Sequence, residues 1–456
     1  MKLSKYILFT PASTNCYLVY SYISGNMFTI DKATFTYLNN NNFSYIPDEI
    51  LQSLKKSNIL IDKNKDQELF VSDSTNILNI VILPNNKCNL RCKYCGEKKG
   101  NESMTVTTQK SLVAFVRKKL QENSYKVLDV DFFGGEPTLD IHIIQELSKQ
   151  LILLANEFKC VYKAKIVTNG ILLTKENCNI LINDCCIDFF EITIDGSKQF
   201  NDNRRVNKLG QGFYNEIMNN IEYLYNFNCI ISIRCNVDKY NADGIYPLLM
   251  DFKRRRMSDK IRFYIASIHA WGTEDGTRSI SLENFAKLEI EVFKILFAYN
   301  FPLSNYNLLP ARKQVRECVA QNENAYIIDA FGNIYTCSET PYTGDSNAII
   351  GHINTGITKD RQLFRFSETQ KQICLQCSIY PVCGGGCIKR AGEQNALQCI
   401  TLLKNQQDRC KLLYKLSKKN VCFLKIVWKL YFFLKYQLSK IGKLLLSTKN
   451  RNSSLI

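Results

Sequence analysis

Between residues 77 and 270 six short apolar runs alternate with stretches of helical periodicity, and few folds accommodate that rhythm. The runs are Ile77 to Leu83, Val127 to Phe133, Val161 to Val167, Phe189 to Ile194, Cys229 to Val237 and Ile261 to Ser267. Between them lie the helical patterns Thr107 to Leu120, Ile141 to Phe158, Lys175 to Ile182, Asn215 to Tyr225 and Ala242 to Arg256. Strands joined through helices run parallel, so the pattern predicts an α/β fold: a partial (β/α)6 TIM barrel with its site at the C-terminal ends of the strands.

Chemistry-bearing residues cluster at those ends. After the first run, Lys87-Cys88-Asn89-Leu90-Arg91-Cys92-Lys93-Tyr94-Cys95-Gly96-Glu97 places three thiols within eight residues. Thiolates suit zinc and iron-sulfur clusters, and three of them leave a four-coordinate site incomplete; a zinc knuckle or incidental thiols are the plainer alternatives. The second run closes on Gly134-Gly135-Glu136-Pro137, where two glycines allow close backbone approach and Glu136 offers an anion to an ammonium group. The third ends at Thr168-Asn169-Gly170 and the fourth at Thr193-Ile194-Asp195-Gly196, segments that elsewhere mark ordinary turns. In the fifth, Arg234 and Asn236 share one face of a strand, where a ligand or an internal salt bridge would partner them.

The CxxxCxxC arrangement, with an aromatic before its third cysteine, resembles the signature of the radical S-adenosylmethionine (SAM) enzymes. The resemblance implies a 4Fe-4S cluster on Cys88, Cys92 and Cys95 whose open iron is chelated by SAM. It also implies SAM contacts from Tyr94, the Gly134, Gly135, Glu136, Pro137 element, Thr168, Asn169, Thr193 and Asp195, with Arg204 or Arg205 near the methionine carboxylate; Arg234 joins the cofactor-contact candidates from its strand pattern alone.

A second cysteine system follows a less patterned connector, 271–317, that holds a predicted helix from Leu282 to Tyr299. Thirteen residues separate Cys318 from Gly332, four more precede Cys337, and two, five and three separate Cys374, Cys377, Cys383 and Cys387. This spacing resembles the SPASM auxiliary-cluster domain, which implies two further 4Fe-4S clusters over 318–412. By that likeness Cys318, Cys337 and Cys387 serve the nearer cluster, and Cys374, Cys377, Cys383 and a downstream thiol the other. Cys410, which opens a basic helix, is preferred as that thiol over Cys399. No cysteine stands in Ala311 to Arg316, where some members carry an eighth, so the nearer cluster is expected to keep an open iron able to take a substrate thiolate, unless an uncharged or oxygen ligand fills it.

Composition narrows the setting. The chain has 456 residues, room for about three domains, and 45% of them are apolar. Its start, Met1-Lys2-Leu3-Ser4-Lys5-Tyr6, lacks the apolar core of a secretory signal, so the 19 cysteines are expected in a reducing cytoplasm, where clustered thiols more often bind metal than pair. Only His142, His269 and His352 exist, which disfavours histidine-centred catalysis. The net charge of +17 is uneven: from Lys404 onward 13 Lys and Arg face the single acid Asp408, leaving 46 basic and 41 acidic residues before it. A nucleic-acid enzyme carries its basic surface around its site, so no nucleic-acid partner is expected.

Residues 1–75 begin with strand-like runs (Tyr6 to Phe9, Cys16 to Tyr20, Met27 to Ile30) and continue into helical patterns at Lys32 to Leu38 and Pro47 to Lys56. That order is similar to the winged-helix-like modules that recognise precursor peptides, and a bare N-terminal cap is the alternative. At the other end, 413–456 reads as a basic amphipathic tail, its lysines falling in one sector of a helix from Val421 to Leu446. Such a helix suits an anionic membrane surface, a partner groove or the protein's own body.

The two resemblances imply a radical SAM core over 76–270 that reductively cleaves SAM to a 5'-deoxyadenosyl radical, fed by a flavodoxin or ferredoxin-type reductant, and abstracts hydrogen from a substrate carbon. The expected substrate is a ribosomally made precursor peptide, with a thioether or carbon-carbon crosslink as product. A formylglycine-forming, anaerobic sulfatase-maturating activity is the alternative; there an acidic residue follows the second SPASM cysteine, whereas here Ser338 follows Cys337, with Glu339 next. An electron-carrying scaffold is disfavoured by the intact Gly-Gly-Glu-Pro element.

Overall fold

Three sheets organise the residues that the computed structural model describes: 1–62, 76–268, 279–303, 308–312, 318–340, 346–361, 365–418 and 421–452, the last with backbone alone at 421 and from 441. The first two sheets belong to the N-terminal module. Strands β2 (Ile7–Ser13), β3 (Cys16–Ser21) and β4 (Met27–Asp31) form an antiparallel meander, and β1 (Lys2–Leu3) pairs with β5 (Leu60–Ile61). Asp31 ends β4 and caps the helix Lys32–Asn39: its carboxylate accepts from Thr34 N at 2.7 Å, which also holds its pKa below the usual carboxylate range. One face of the meander joins Leu38, Ile46 and Leu54 from the helices in a small core. From the other, Leu8, Leu18, Tyr20 and Tyr22 pack on Leu309, Ile379, Val382, Leu402 and Cys410, seating the module on the second cysteine region.

The third sheet has ten strands. Six parallel ones lie side by side in chain order: β6 (Ile77–Ile82), β7 (Val127–Phe132), β8 (Val161–Thr168), β9 (Ile187–Thr193), β10 (Ile230–Val237) and β11 (Ile261–Ser267). The helices Val106–Glu122, Ile141–Glu157, Tyr214–Leu224 and Ile245–Arg254 lie between them in the chain, as the alternating pattern predicts. Side chains two apart share a face. Leu78, Ile80, Ile82, Leu128, Val130 and Phe132 join the main core, each worth about 1.5 to 3 kcal/mol when fully buried. The opposite face carries Asn79, Asp129, Asp131, Lys165, Glu191 and Arg234, linked by pairs such as Lys165 to Asp131 at 2.7 Å.

Beyond β6 the sheet continues into residues that the sequence assigns to a separate domain. Strand β12 (Ala325–Ile328) pairs parallel with β6, and β13 (Asn333–Tyr335), β14 (Gly351–His352) and β15 (Gly356–Ile357) follow antiparallel. The expected border at 318 is thus crossed by one hydrogen-bond ladder. These strands of two to four residues are too short to show a period, and the helix Lys198–Arg204 escapes sequence reading because its residues are nearly all polar. Parts of the 271–317 connector fall outside the described residues; its helix is present as Leu282–Ala298.

Candidate functional site

At the C-terminal ends of the parallel strands lies a cavity of about 410 Å³. Cys88, Cys92, Cys95 and Tyr94 form part of its wall, joined by Gly134, Gly135, Thr168, Asn169, Thr193 and Arg234. Six loops far apart in sequence therefore meet where the strand ends converge.

Backbone bonds fix the cysteine loop. Glu136 N donates to Lys87 O at 2.8 Å, Arg91 N to Val206 O at 2.5 Å and Lys93 N to Arg204 O at 2.9 Å, while Lys87 Nζ reaches Asp140 at 3.3 Å. The glycine at 135 is obligatory for this contact, since a Cβ there would stand 2.1 Å from Lys87 O. Its empty side thus admits the cysteine loop as well as facing the cavity.

Glu136 does something other than the sequence suggests. Its carboxylate is fully buried and does not line the cavity; Oε1 accepts from Thr168 Oγ1 at 2.7 Å and Thr138 Oγ1 at 2.6 Å, and Oε2 accepts from Asn169 N at 2.7 Å. It clamps two strand ends together, and burial raises its pKa against those hydrogen bonds. Pro137 opens a short 3-10 turn behind it and is likewise buried outside the wall.

A polar network closes the far side. Tyr94 Oη accepts from Arg205 at 2.7 Å and from Asn236 Nδ2 at 3.0 Å. Burial, opposed by Arg205 and reinforced by Asp195, holds this hydroxyl's pKa well above its ordinary value. Asp195 is buried behind the wall, where Oδ1 accepts from Asn236 N at 3.0 Å. Arg204, carried forward from sequence as a cofactor contact, lies behind it as well: its guanidinium bonds Asp238 at 2.5 Å, approaches Asp195 at 3.7 Å and sits over the Tyr94 ring. The chain leaves the helix at the neighbouring residue, with φ −109° and ψ 82°, and Arg205 lines the cavity instead. Burial alone would lower the Arg205 pKa; Cys92, Tyr94 and Asp195 outweigh it and leave it raised.

Sequence reasoning missed other wall residues. Ser267 ends β11 as Thr193 ends β9, so the same strand-end signal would have found it. Glu97 and Lys99 directly follow the third cysteine, and burial pushes the Glu97 carboxyl up to about 7. Glu339 and Arg390, paired at 2.7 Å, arrive from the second cysteine region by long-range packing that no local pattern encodes.

In that region Cys318, Cys337 and Cys387 stand in electrostatic reach of one another: burial, then the neighbouring thiols and Glu339, raises the pKa of Cys318, and the same factors bring Cys337 to about 12. The other set corrects the preference for Cys410. Cys374 and Cys383 are raised by burial and then by Cys399 and Cys377, and a bridge between Gly386 and Gln398 draws the Cys399 strand alongside. Cys410 is wholly buried in the apolar cluster against which Cys377 and Cys383 pack, its sulfur 3.9 Å from Met27 Sδ. The electrostatic neighbours of Cys374 and Cys383 thus favour Cys399 as the fourth thiol.

The residues present fit an iron-sulfur cluster with SAM. Three thiols of soft-ligand type share one wall, glycines open the backbone beside them, and Arg205 Nε is buried without a hydrogen-bond partner. Among the described residues no three His, Cys, Asp or Glu side chains stand close enough to hold one ion. The corners of a cubane take thiolates set wider than that.

Residues 82–243 match the family model of the Radical SAM superfamily, so the chain carries a radical SAM domain. It is related to peptide maturases and sulfatase-maturating enzymes. It is 25% identical over 212 residues to the radical SAM cyclopropyl synthase TigE of Paramaledivibacter caminithermalis, an alignment spanning 38% of this chain and 44% of that protein, less than half its length. It is 25% identical over 359 residues to the cysteine-type anaerobic sulfatase-maturating enzyme of Clostridium novyi, 70% of this chain and 89% of that one. Among solved structures, anSMEcpe with bound AdoMet and Kp18Cys peptide superposes at TM-score 0.55 and 18% identity, covering 77% of this chain and 99% of that one. Streptococcus suis SuiB bound to precursor peptide SuiA superposes at 0.50 and 16%, covering 88% and 98%.

Proposed function

We propose that this enzyme is a maturase of a ribosomally made precursor peptide, installing a thioether or carbon-carbon crosslink. The observation that carries the reading is the N-terminal module: a separate meander whose β4 pairs, among the described residues, only with β3, leaving an edge on which an extended peptide can add as a strand. The SuiB fold also accounts for more of this chain than the anSMEcpe fold does, 88% against 77%.

In this reading Cys88, Cys92 and Cys95 hold the first cluster, and Arg205, Asn236, Thr168, Asn169 and Thr193 offer charge and hydrogen bonds to SAM. Bound there and reduced by one electron, the pair supplies a 5'-deoxyadenosyl radical that takes hydrogen from carbon. The chain does the rest. Leu90, Phe133, Val167, Ala266 and Ile268 give the cavity apolar walls that exclude water. The Glu136 clamp and the Tyr94 network fix the strand ends so that the wall is set before substrate arrives. Cys318, Cys337 and Cys387 hold a nearer auxiliary cluster and Cys374, Cys377, Cys383 and Cys399 a farther one, beside the wall where Glu339 and Arg390 stand. The enzyme works in the cytoplasm with a flavodoxin or ferredoxin-type reductant.

Coexpression with the short open reading frame beside its gene tests this. A peptide mass lowered by two hydrogens per crosslink is expected, and an unchanged mass with an enzyme that cleaves SAM overturns it. Glu339 favours a second reading: it is an acid close to Cys337 that faces the cavity, as a base for formylglycine formation would. Conversion of a sulfatase-derived cysteine peptide would establish that activity instead.

A further inference from the structure

The helix Val421–Asn452 packs the opposite way round from an ordinary amphipathic helix. It lies along Leu282–Ala298, and its inward face is a mixture of aromatic rings and lysines. Phe432 is 3% exposed, Trp428 stacks edge-on to Phe297 at 5.8 Å, and Tyr436 meets Tyr246 at 5.4 Å. Lys435 Nζ bonds both oxygens of Glu291 at 2.7 and 2.8 Å, and Lys425 Nζ bonds Asn300 at 2.6 Å. These contacts fix the helix's rotation.

The outward face is consequently apolar. Phe423, Ile426, Leu430, Phe433, Leu434 and Leu438 are all about half exposed or more, Phe423 reaching 69% and Leu438 68%. At 100° per residue they occupy a sector of roughly 140° and a strip roughly 22 Å long. Lys429 and Lys440 border that strip on one side and Lys435 on the other. From Val421 to the last residue the sequence holds seven Lys and Arg and no acid. No helix among the described residues is long and apolar enough to cross a membrane.

We propose that this face lies on an anionic lipid surface, seating the enzyme peripherally on a membrane. The charge selects that occupant. A second copy would set two acid-free basic helices side by side with nothing to offset the repulsion, whereas anionic headgroups complement the lysine borders while the strip enters the acyl boundary. Lys429 and Lys440 set their ammonium groups over the Tyr299 and Tyr436 rings beside the strip, where neither meets an acid among the described residues, while Lys435 is held by Glu291.

The test uses the full chain, anaerobically purified with its iron, in flotation against vesicles of phosphatidylcholine with 30% phosphatidylglycerol and against pure phosphatidylcholine. Binding to the anionic vesicles is expected, weaker by more than about tenfold on the neutral ones and by about fivefold for each lysine lost in Lys429→Gln and Lys440→Gln. The triple substitution Leu430→Ser, Leu434→Ser, Leu438→Ser should abolish flotation with helicity and SAM cleavage intact, because the three side chains touch no part of the core. Failure of the unaltered chain to float overturns the proposal. So does concentration-dependent dimerisation that the triple variant abolishes without any vesicle binding, which would give the face to a second copy. Neither readout depends on the peptide chemistry proposed above.

Discussion

The two cysteine regions of this enzyme are built by different means. The front thiols hang from a loop at the end of β6, tied through Lys87 to the loop after β7 and through Arg91 and Lys93 to the C-terminal end of the helix Lys198–Arg204, over a large apolar core. The rear thiols sit in turns and short helices; Gly384, Gly385 and Gly386 all take positive φ, and a Cβ at 386 would meet Gln398 O at 1.9 Å. Around them the cores are small, and one is shared with the N-terminal module. The front is a rigid frame to which a cluster can be added. With clusters bound as proposed, the rear would gain much of its order from what its thiols hold.

Breaking the front should be felt in chemistry. Cys92→Ala is expected to reduce SAM cleavage to background while the melting temperature stays close to the parent's, a contrast read by product analysis and thermal scanning. Iron removal should do the reverse to the rear: anaerobic chelation is predicted to open 374–399 to proteolysis while the barrel fragment survives on a gel. Cys399→Ala should then lose the iron and acid-labile sulfide of one cluster. Cys410→Ala should keep the full complement and lower stability by only about 1 kcal/mol, measured by denaturant unfolding. If Cys410→Ala loses iron instead, the two thiols exchange roles.

The arginine pair sharpens the same contrast within the front. Arg204→Ala leaves Asp238 and Asp195 buried without their cation and should cost about 3 to 5 kcal/mol in folding stability. Arg205→Ala should leave stability less changed and weaken SAM binding by about tenfold, as expected for one charged hydrogen-bonding group facing a ligand. Equilibrium dialysis with SAM separates the two.

The barrel was legible because its strands and helices are long enough to carry a period and its loops carry unusual residues at fixed spacing. Every apolar run from 77 to 267 forms a strand, and the wall received Cys88, Cys92, Cys95, Tyr94, Thr168, Asn169, Thr193 and Arg234. What stayed hidden depends on rotation and long-range packing. Whether Arg204 or Arg205 faces inward turns on one step of a helix that has no apolar face to read. Glu136 looks in sequence like a ligand for an ammonium group because nothing local reveals that two threonines and a backbone amide occupy its oxygens. Spacing leaves Cys399 and Cys410 level, and only the packing of Cys399 beside Cys374 and Cys383 favours the former.

Strand β12 carries one last consequence. It is hydrogen-bonded in register to β6, from Ala325 opposite Asn79 to Ile328 opposite Ile82, so the chain leading into the front thiol loop and the chain leading to Cys337 are neighbouring rungs of one ladder. With clusters held as proposed above, the spacing between the two centres would be set by pleated backbone. Under the proposed function, peptides of different size would enter and leave without detuning that spacing.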